Sequence, residues 1–237
     1  METIYHFTKI STLVELILPT MLLKLNSIEN MNDPRETKIF GFSQITDSVD
    51  NSSLEKNNKE FSDFIKKNIK ICSFVKNATV GDSIIEGFKN TMMWAHYGDN
   101  HKGVSIALNY NKIKEKNKKI KFEKIEYFKP NNNFLQIDKQ EYNKDKKKYR
   151  ENLFINEETL KKLFFQKTWE WSNENEIRAL IKNGKKKDDF IKIKDCIEMI
   201  YLGVDCSENY IPSIQKYISP EKIKKLKFEY DRIRIKQ

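Results

Sequence analysis

The feature that most constrains this chain is the shortness of its apolar runs. None approaches the roughly 18 residues of a membrane-spanning helix, and most are one strand long. "GVSIAL" (Gly103 to Leu108) is the clearest, with Val104, Ile106 and Leu108 alternating with small residues. Further strand candidates are 4–7, 21–25, 69–75, 120–128, 176–182, 190–193, 197–202 and 225–235. Between them lie stretches with helical spacing: one that Ser11 can cap and Pro19 ends, then 53–67, Asn90 to Tyr97, 157–167 and 207–217, with a further helix such as 139–150. This interleaving predicts an α+β fold with a mixed, mostly antiparallel sheet and short helices. The chain has neither a GxGxxG nor a P-loop sequence, which argues against a phosphate-cradling βαβ fold.

The 237 residues read as a single domain, 1–237, with a Lys/Asn-rich surface insertion around 129–155. Hydrophobic residues make up 38% of the chain, enough for a real core and too many for disorder throughout. The formal net charge is +10. That balance suits a nucleic-acid partner, with the local lysine excess between Lys112 and Lys148 as its footprint. It equally suits a chain rich in Lys, Asn and Ile through codon bias. Cys72, Cys196 and Cys206 fit no metal spacing and read as thiols of a reducing compartment. With no signal-like N-terminus, the expectation is a cytoplasmic protein that makes no membrane contact.

Three clusters carry chemistry. In "IYHFTKI", His6 and Thr8 share one strand face and offer two hydrogen-bonding groups. In "MMWAHYGDNHKG", Trp94, His96 and Tyr97 precede a glycine turn, and aromatic rings there could wall a ligand site. In "WSNENEIR", Glu174 and Glu176 flank Asn175 and would share a face of an extended chain, with Arg178 continuing it. One carboxylate could stabilise a cationic transition state while the other orients a nucleophile. Each cluster also has a plain reading: a structural histidine, aromatics that plug the core, and a Glu–Arg pair on a strand edge. His96 and His101 have only Asp99 between them as another hard ligand, and His6 is distant, so no metal is expected.

Together "YHFTKISTLVELI", "NDPRE", "MWAHYGDNHKGVSIAL" and "WSNENEIR" are similar, in order and over about residues 4–205, to the bacterial domain of unknown function numbered 2971. More distantly, a strand His with a following Thr, a mid-chain aromatic and a late-strand Glu resemble ADP-ribosyltransferases of the DarT and RNA 2′-phosphotransferase type. That second resemblance implies split sheets and NAD as substrate. It places His6 and Thr8 on the nicotinamide ribose and Tyr97, with Trp94, against the nicotinamide. Glu176 then stabilises the oxocarbenium-like transition state, Glu174 orients the acceptor, and Arg178 and Arg35 lie near the pyrophosphate. Asp33, Glu36 and His96 support the site. The acceptor would be nucleic acid or protein, or water in NAD hydrolysis, in the manner of a toxin or antiphage effector.

Two other functions compete: a nucleotide or nucleic-acid sensor without turnover, and a metal-dependent nuclease. Geometry separates them. Convergence of His6, Tyr97 and Glu176 favours the transferase. Convergence of Asp33, Glu36, His96 and Asp99 favours the metal enzyme.

Overall fold

The computed structural model describes residues 2–33, 42–43, 51–129, 135–136, 144–182 and 189–236. Its centre is a ten-stranded sheet. In chain order the strands are β1 (Thr3–Thr8), β2 (Leu22–Ser27), β3 (Ile69–Lys76), β4 (Val104–Asn109) and β5 (Lys121–Lys124), then β6 (Glu176–Lys182), β7 (Asp189–Lys192), β8 (Ile197–Leu202), β9 (Ile223–Glu229) and β10 (Arg232–Ile235). The order across the sheet is β7-β2-β3-β1-β4-β8-β9-β10, and β6 joins β3 to β5. Within it, only β8 and β9 run parallel. The fold is α+β with a mostly antiparallel sheet.

Every residue of β4 is buried. Val104, Ile106 and Leu108 enter the largest core cluster, while Ala107 sits on the opposite face with Tyr5, Phe88 and Tyr201. Phe88 stacks on Tyr201 with centroids 3.9 Å apart. The alternation of large and small residues in "VSIAL" therefore reflects two unequal layers. Burial of each large side chain contributes about 1.5–3 kcal/mol.

Helix α1, residues 10–20, runs through a π-helical segment at Leu13–Ile17 and buries Leu13, Ile17 and Leu18. Ser11 lies inside it, and the N-cap is Lys9, without a side-chain bond. Pro19 sits within the last turn, and the chain leaves through a left-handed Met21. Helices α2 (Asn51–Asn68) and α4 (Glu157–Phe164) pack Phe61, Ile65, Leu160 and Phe164 together with Ile69, Ile71 and Leu180 of β3 and β6. The short α3 (Thr91–His96) is capped by the Asn90 side chain, which accepts from Met92 N and Met93 N.

Beyond the cap and end of α1, four more readings change. The polar stretch after β3 is a small hairpin, Ala78–Val80 with Ser83–Ile85. The strand expected over 120–128 breaks at Ile125. The helix expected over 207–217 is a 3-10 turn at Glu208–Tyr210 followed by an α-helical turn at Ile211–Gln215. The single strand expected over 225–235 is the β9–β10 hairpin, reversed at Tyr230 and Asp231, whose φ values are 47° and 66°. A two-residue loop with both φ values positive has the sense that matches strand twist, usually supplied by Asn-Gly. Tyr-Asp gave no such signal.

Within the 129–155 insertion, residues 130–134 and 137–143 lie outside the described residues, as does the turn at Gly184, and the helix expected over 139–150 is described at Lys146–Ile155. No described helix is long and apolar enough to cross a membrane.

Candidate functional site

Strand β3 is the branch point. One edge pairs with β6 along its length, from Glu176↔Val75 to Lys182↔Ile69. The other edge is shared: β2 pairs at Asn26↔Ile71 and Ser27↔Lys70, and β1 at Tyr5↔Val75 and Ile4↔Lys76. Between them β1 and β2 diverge, and among the described residues no strand pairs with Cys72–Phe74 on that edge. His6 sits in this fork. Its Nδ1 lies 3.1 Å from the Ser73 carbonyl, so it satisfies a group the ladder leaves open.

A carbonyl can only accept, so Nδ1 carries the proton. The neutral ring then presents Nε2 as an acceptor. Burial beside Phe74 and Cys72 lowers the His6 pKa below its usual 6.5. The folded state thus prefers neutral His6. Its contribution to stability is complete above about pH 6.5 and declines as pH falls below that value. Burial also pushes the Cys72 thiol up to about 12, which makes it an inert neighbour.

On the far side of β3, Ser73 Oγ donates to Glu176 Oε1 at 2.7 Å. Arg178, two residues on and on the same face, grips Glu176 with Nε at 2.8 Å and Nη2 at 3.1 Å. Lys167 Nζ lies 2.8 Å from Glu176 Oε2 and 2.7 Å from Glu174 Oε2. Tyr97 donates its hydroxyl to Glu174 Oε1 at 2.6 Å. The side chain of Asn32, the first residue of "NDPRE", lies close to the same hydroxyl. Two carboxylates and two cations are thus enclosed together. Glu176 is 2% exposed and Arg178 is 0% exposed.

Burial alone would raise the Glu176 pKa, but the Arg178 and Lys167 charges outweigh it and hold the carboxylate at about 2. A depressed carboxylate pKa stabilises the fold above the unfolded value and loses that contribution as pH falls through the folded one. Stability is therefore expected to drop between about pH 4.5 and 2. In Glu176→Gln that part of the acid transition should be absent from a pH series of thermal melts.

Local geometry differs from the sequence picture in one respect. Glu174 and Glu176 are not on one extended strand. Glu174 ends a 3-10 turn (Trp169–Glu174), and Asn175 is left-handed with φ 47°. The Asn175 side chain donates to the carbonyls of Lys76 and Asn77 and pins this turn against β3. The twist still brings both carboxylates to one ammonium.

The "MWAHYGDNHKG" stretch proves to be mostly architecture. Trp94 is 0% exposed, meets Phe7 edge to face at 5.0 Å and donates Nε1 to Phe88 O. It lies in the core and does not wall a ligand site. Asp99, Asn100 and His101 are all left-handed, which folds the loop back on itself. A Cβ on Gly103 would strike the Thr8 carbonyl, and one on Gly98 would meet the Trp94 ring at 2.7 Å. Gly103→Ala should cost about 1–3 kcal/mol by thermal denaturation, because backbone must move.

Of the remaining candidates, Thr8 lies at the end of β1 opposite Val104, half-buried and away from the cluster. His96 is exposed with its ring against Tyr97, so it borders the site without joining it. Asp33 is buried, and Arg35 and Glu36 lie outside the described residues. Among the described residues no group of three or more His, Cys, Asp or Glu is placed to hold a metal ion. Sequence reasoning missed Lys167, Ser73 and Tyr127, whose hydroxyl accepts from Glu176 N at 2.9 Å.

Residues 93–179 match the family model described as protein of unknown function (DUF2971). The DUF2971 match takes in Tyr97, Lys167, Glu174, Glu176 and Arg178, and leaves His6 and Ser73 outside it. No curated protein and no solved structure matches the chain.

Proposed function

We propose that this cluster is the ligand site of an NAD-dependent ADP-ribosyltransferase-like enzyme that modifies nucleic acid or protein, in the manner of a toxin or antiphage effector. One observation carries the reading. His6, Tyr97 and the two glutamates, far apart in sequence, belong to one run of contacts: His6–Ser73–Glu176–Lys167–Glu174–Tyr97. It sits where two strands part from a shared edge, as the split sheets of that resemblance require.

The roles of the glutamates change, however. A carboxylate accepts about four hydrogen bonds. Glu176 already takes four, two from Arg178 and one each from Lys167 and Ser73. It has no acceptor site left for a ribose hydroxyl, and its charge is neutralised at close range. Among the described residues Glu174 takes two, from Tyr97 and Lys167. Glu174 is therefore the carboxylate with capacity to face an oxocarbenium-like ribose, and Glu176 with Arg178 is the frame that positions it. As the nicotinamide–ribose bond breaks, its electron pair leaves with nicotinamide and positive charge grows on the ribose. A fixed carboxylate there is worth most in the transition state. His6 Nε2, an acceptor, suits a ribose hydroxyl.

The saturation of Glu176 also favours the second reading, a nucleotide sensor that binds without turnover. Calorimetry with NAD, beside nicotinamide release with DNA, RNA and protein acceptors, separates the two. Binding with release supports the transferase, binding alone the sensor, and neither removes both. In either case His6→Ala should weaken NAD binding about tenfold, the usual scale for one charge-free hydrogen bond lost from a site.

A further inference from the structure

The C-terminal hairpin carries a second feature, remote from that cluster. On one face of β9–β10 the cross-strand partners are Lys225 with Lys236, Lys227 with Arg234, and Glu229 with Arg232. Like charges directly opposite each other destabilise a hairpin. Here two such pairs stand in succession, five cations to one carboxylate, with i,i+2 neighbours about 6.8 Å apart along each strand. Between 216 and 236 the sequence has eight Lys and Arg against three acidic residues.

This face is hollow. An open cavity of about 620 Å³ lies between the hairpin and the loop after β8, bordered by Lys225, Lys227 and Lys236 and by Asp205 and Glu208 of the loop, while Phe228 projects from the opposite face with Leu226 and Ile233. Lys225 Nζ is held by three loop carbonyls, those of Gly203, Val204 and Cys206, and fixes the cavity wall. Among the described residues the outer cations meet carboxylates in exchangeable surface pairs: Lys227 and Arg234 share Glu229, and Lys236 meets Glu208. Such pairs are worth little and yield readily to a stronger anion. Phe228 is 59% exposed and Tyr230 at the turn is 78% exposed, with the Arg234 guanidinium over the Tyr230 ring. Strand β10 is the outer strand of the sheet, so the hairpin is open on its outer edge.

We propose that this hairpin and cavity bind single-stranded nucleic acid, with phosphates on Lys227, Arg234 and Lys236 and a base against the exposed Tyr230 ring that Arg234 already meets. A row of cations beside an exposed aromatic ring is the combination that holds a single strand without reading its sequence. The site is independent of any NAD chemistry at the fork of β3. It also differs from the 112–148 lysines that the sequence suggested as a footprint.

The test is fluorescence anisotropy with a labelled oligo(dT) strand, using the whole chain. Lys227→Gln with Arg234→Gln should weaken binding at least about tenfold. It should also make the slope of log affinity against log salt shallower by about 1.4, since each phosphate contact on a single strand contributes about 0.7. Tyr230→Ala should weaken binding about fivefold or more while leaving that slope unchanged, and Phe228→Ala, on the opposite face, should bind within about twofold of Lys227→Arg. Lys227→Arg should bind as wild type, and circular dichroism should be the same for all five proteins. The proposal is overturned if the oligonucleotide does not bind, or if it binds with the double variant and Tyr230→Ala unchanged. It is also overturned if millimolar inorganic phosphate displaces the strand completely at constant ionic strength, which would make the cavity a small-anion site.

Discussion

Glu176→Gln is expected to be among the most destabilising single substitutions in this protein. The amide keeps the shape of the carboxylate but removes its charge. Arg178 is 0% exposed, and its Nε and Nη2 both end on Glu176. Lys167 loses one of its two anions and keeps Glu174. The substitution thus removes the charge on which two Arg178 nitrogens end, and breaking a buried pair from one side costs about 3–5 kcal/mol. For a chain of this size that corresponds to a fall in Tm of about 6–20 °C. Removing both partners, in Glu176→Gln with Arg178→Met, should recover part of the loss, because an apolar side chain needs no counter-charge. Recovery would be incomplete, since Arg178 Nη1 also donates to Phe164 O at 2.7 Å. Denaturant unfolding of the two variants and wild type measures this. A single variant within about 1 kcal/mol of wild type would sink the account of a closed charge network.

The cost of that network explains how much of the site was legible beforehand. Glu176 and Arg178 alternate in "EIR", so their common face followed from strand geometry alone. Glu174 was placed beside them for the wrong reason. The sequence treats Asn175 as extended, whereas it is left-handed and the two carboxylates converge through a turn. Lys167 was invisible because "FFQKTW" has no periodicity that sets one lysine apart. It matters only because the turn at Trp169–Glu174 carries Glu174 back to it. Ser73 was hidden inside the apolar run "IKICSF", since nothing in the chain says that β1 and β2 part company at that residue. Trp94 failed for the opposite reason. An aromatic before a glycine turn serves a ligand wall and a core plug equally well, and burial decides between them. The α+β architecture was readable because alternating apolar strands depend on local period, while the fork in β3 depends on pairings between residues about 70 apart in sequence.

The second large effect concerns Glu174 and rests on the transferase reading. Glu174→Gln should fold nearly as well as wild type. Its Oε1 still accepts from Tyr97, and Lys167 keeps Glu176 as its counter-ion. Lost charge should therefore show in chemistry more than in stability, the reverse of Glu176→Gln. A carboxylate that faces a developing oxocarbenium-like ribose acts chiefly in the transition state. Removing one such preorganised electrostatic group costs about a hundredfold or more in turnover. Nicotinamide release by Glu174→Gln should fall by at least that factor, while NAD affinity by calorimetry stays within about twofold. Tyr97→Phe gives the companion result. It removes the hydroxyl that orients Glu174 but leaves the ring, so release should fall by less, about tenfold, with affinity again little changed. If Glu174→Gln released nicotinamide at the wild-type rate, Glu174 would be a structural anion like its neighbour. The catalytic carboxylate would then have to be Glu176, after Ser73 yields its place on Oε1 to the ribose.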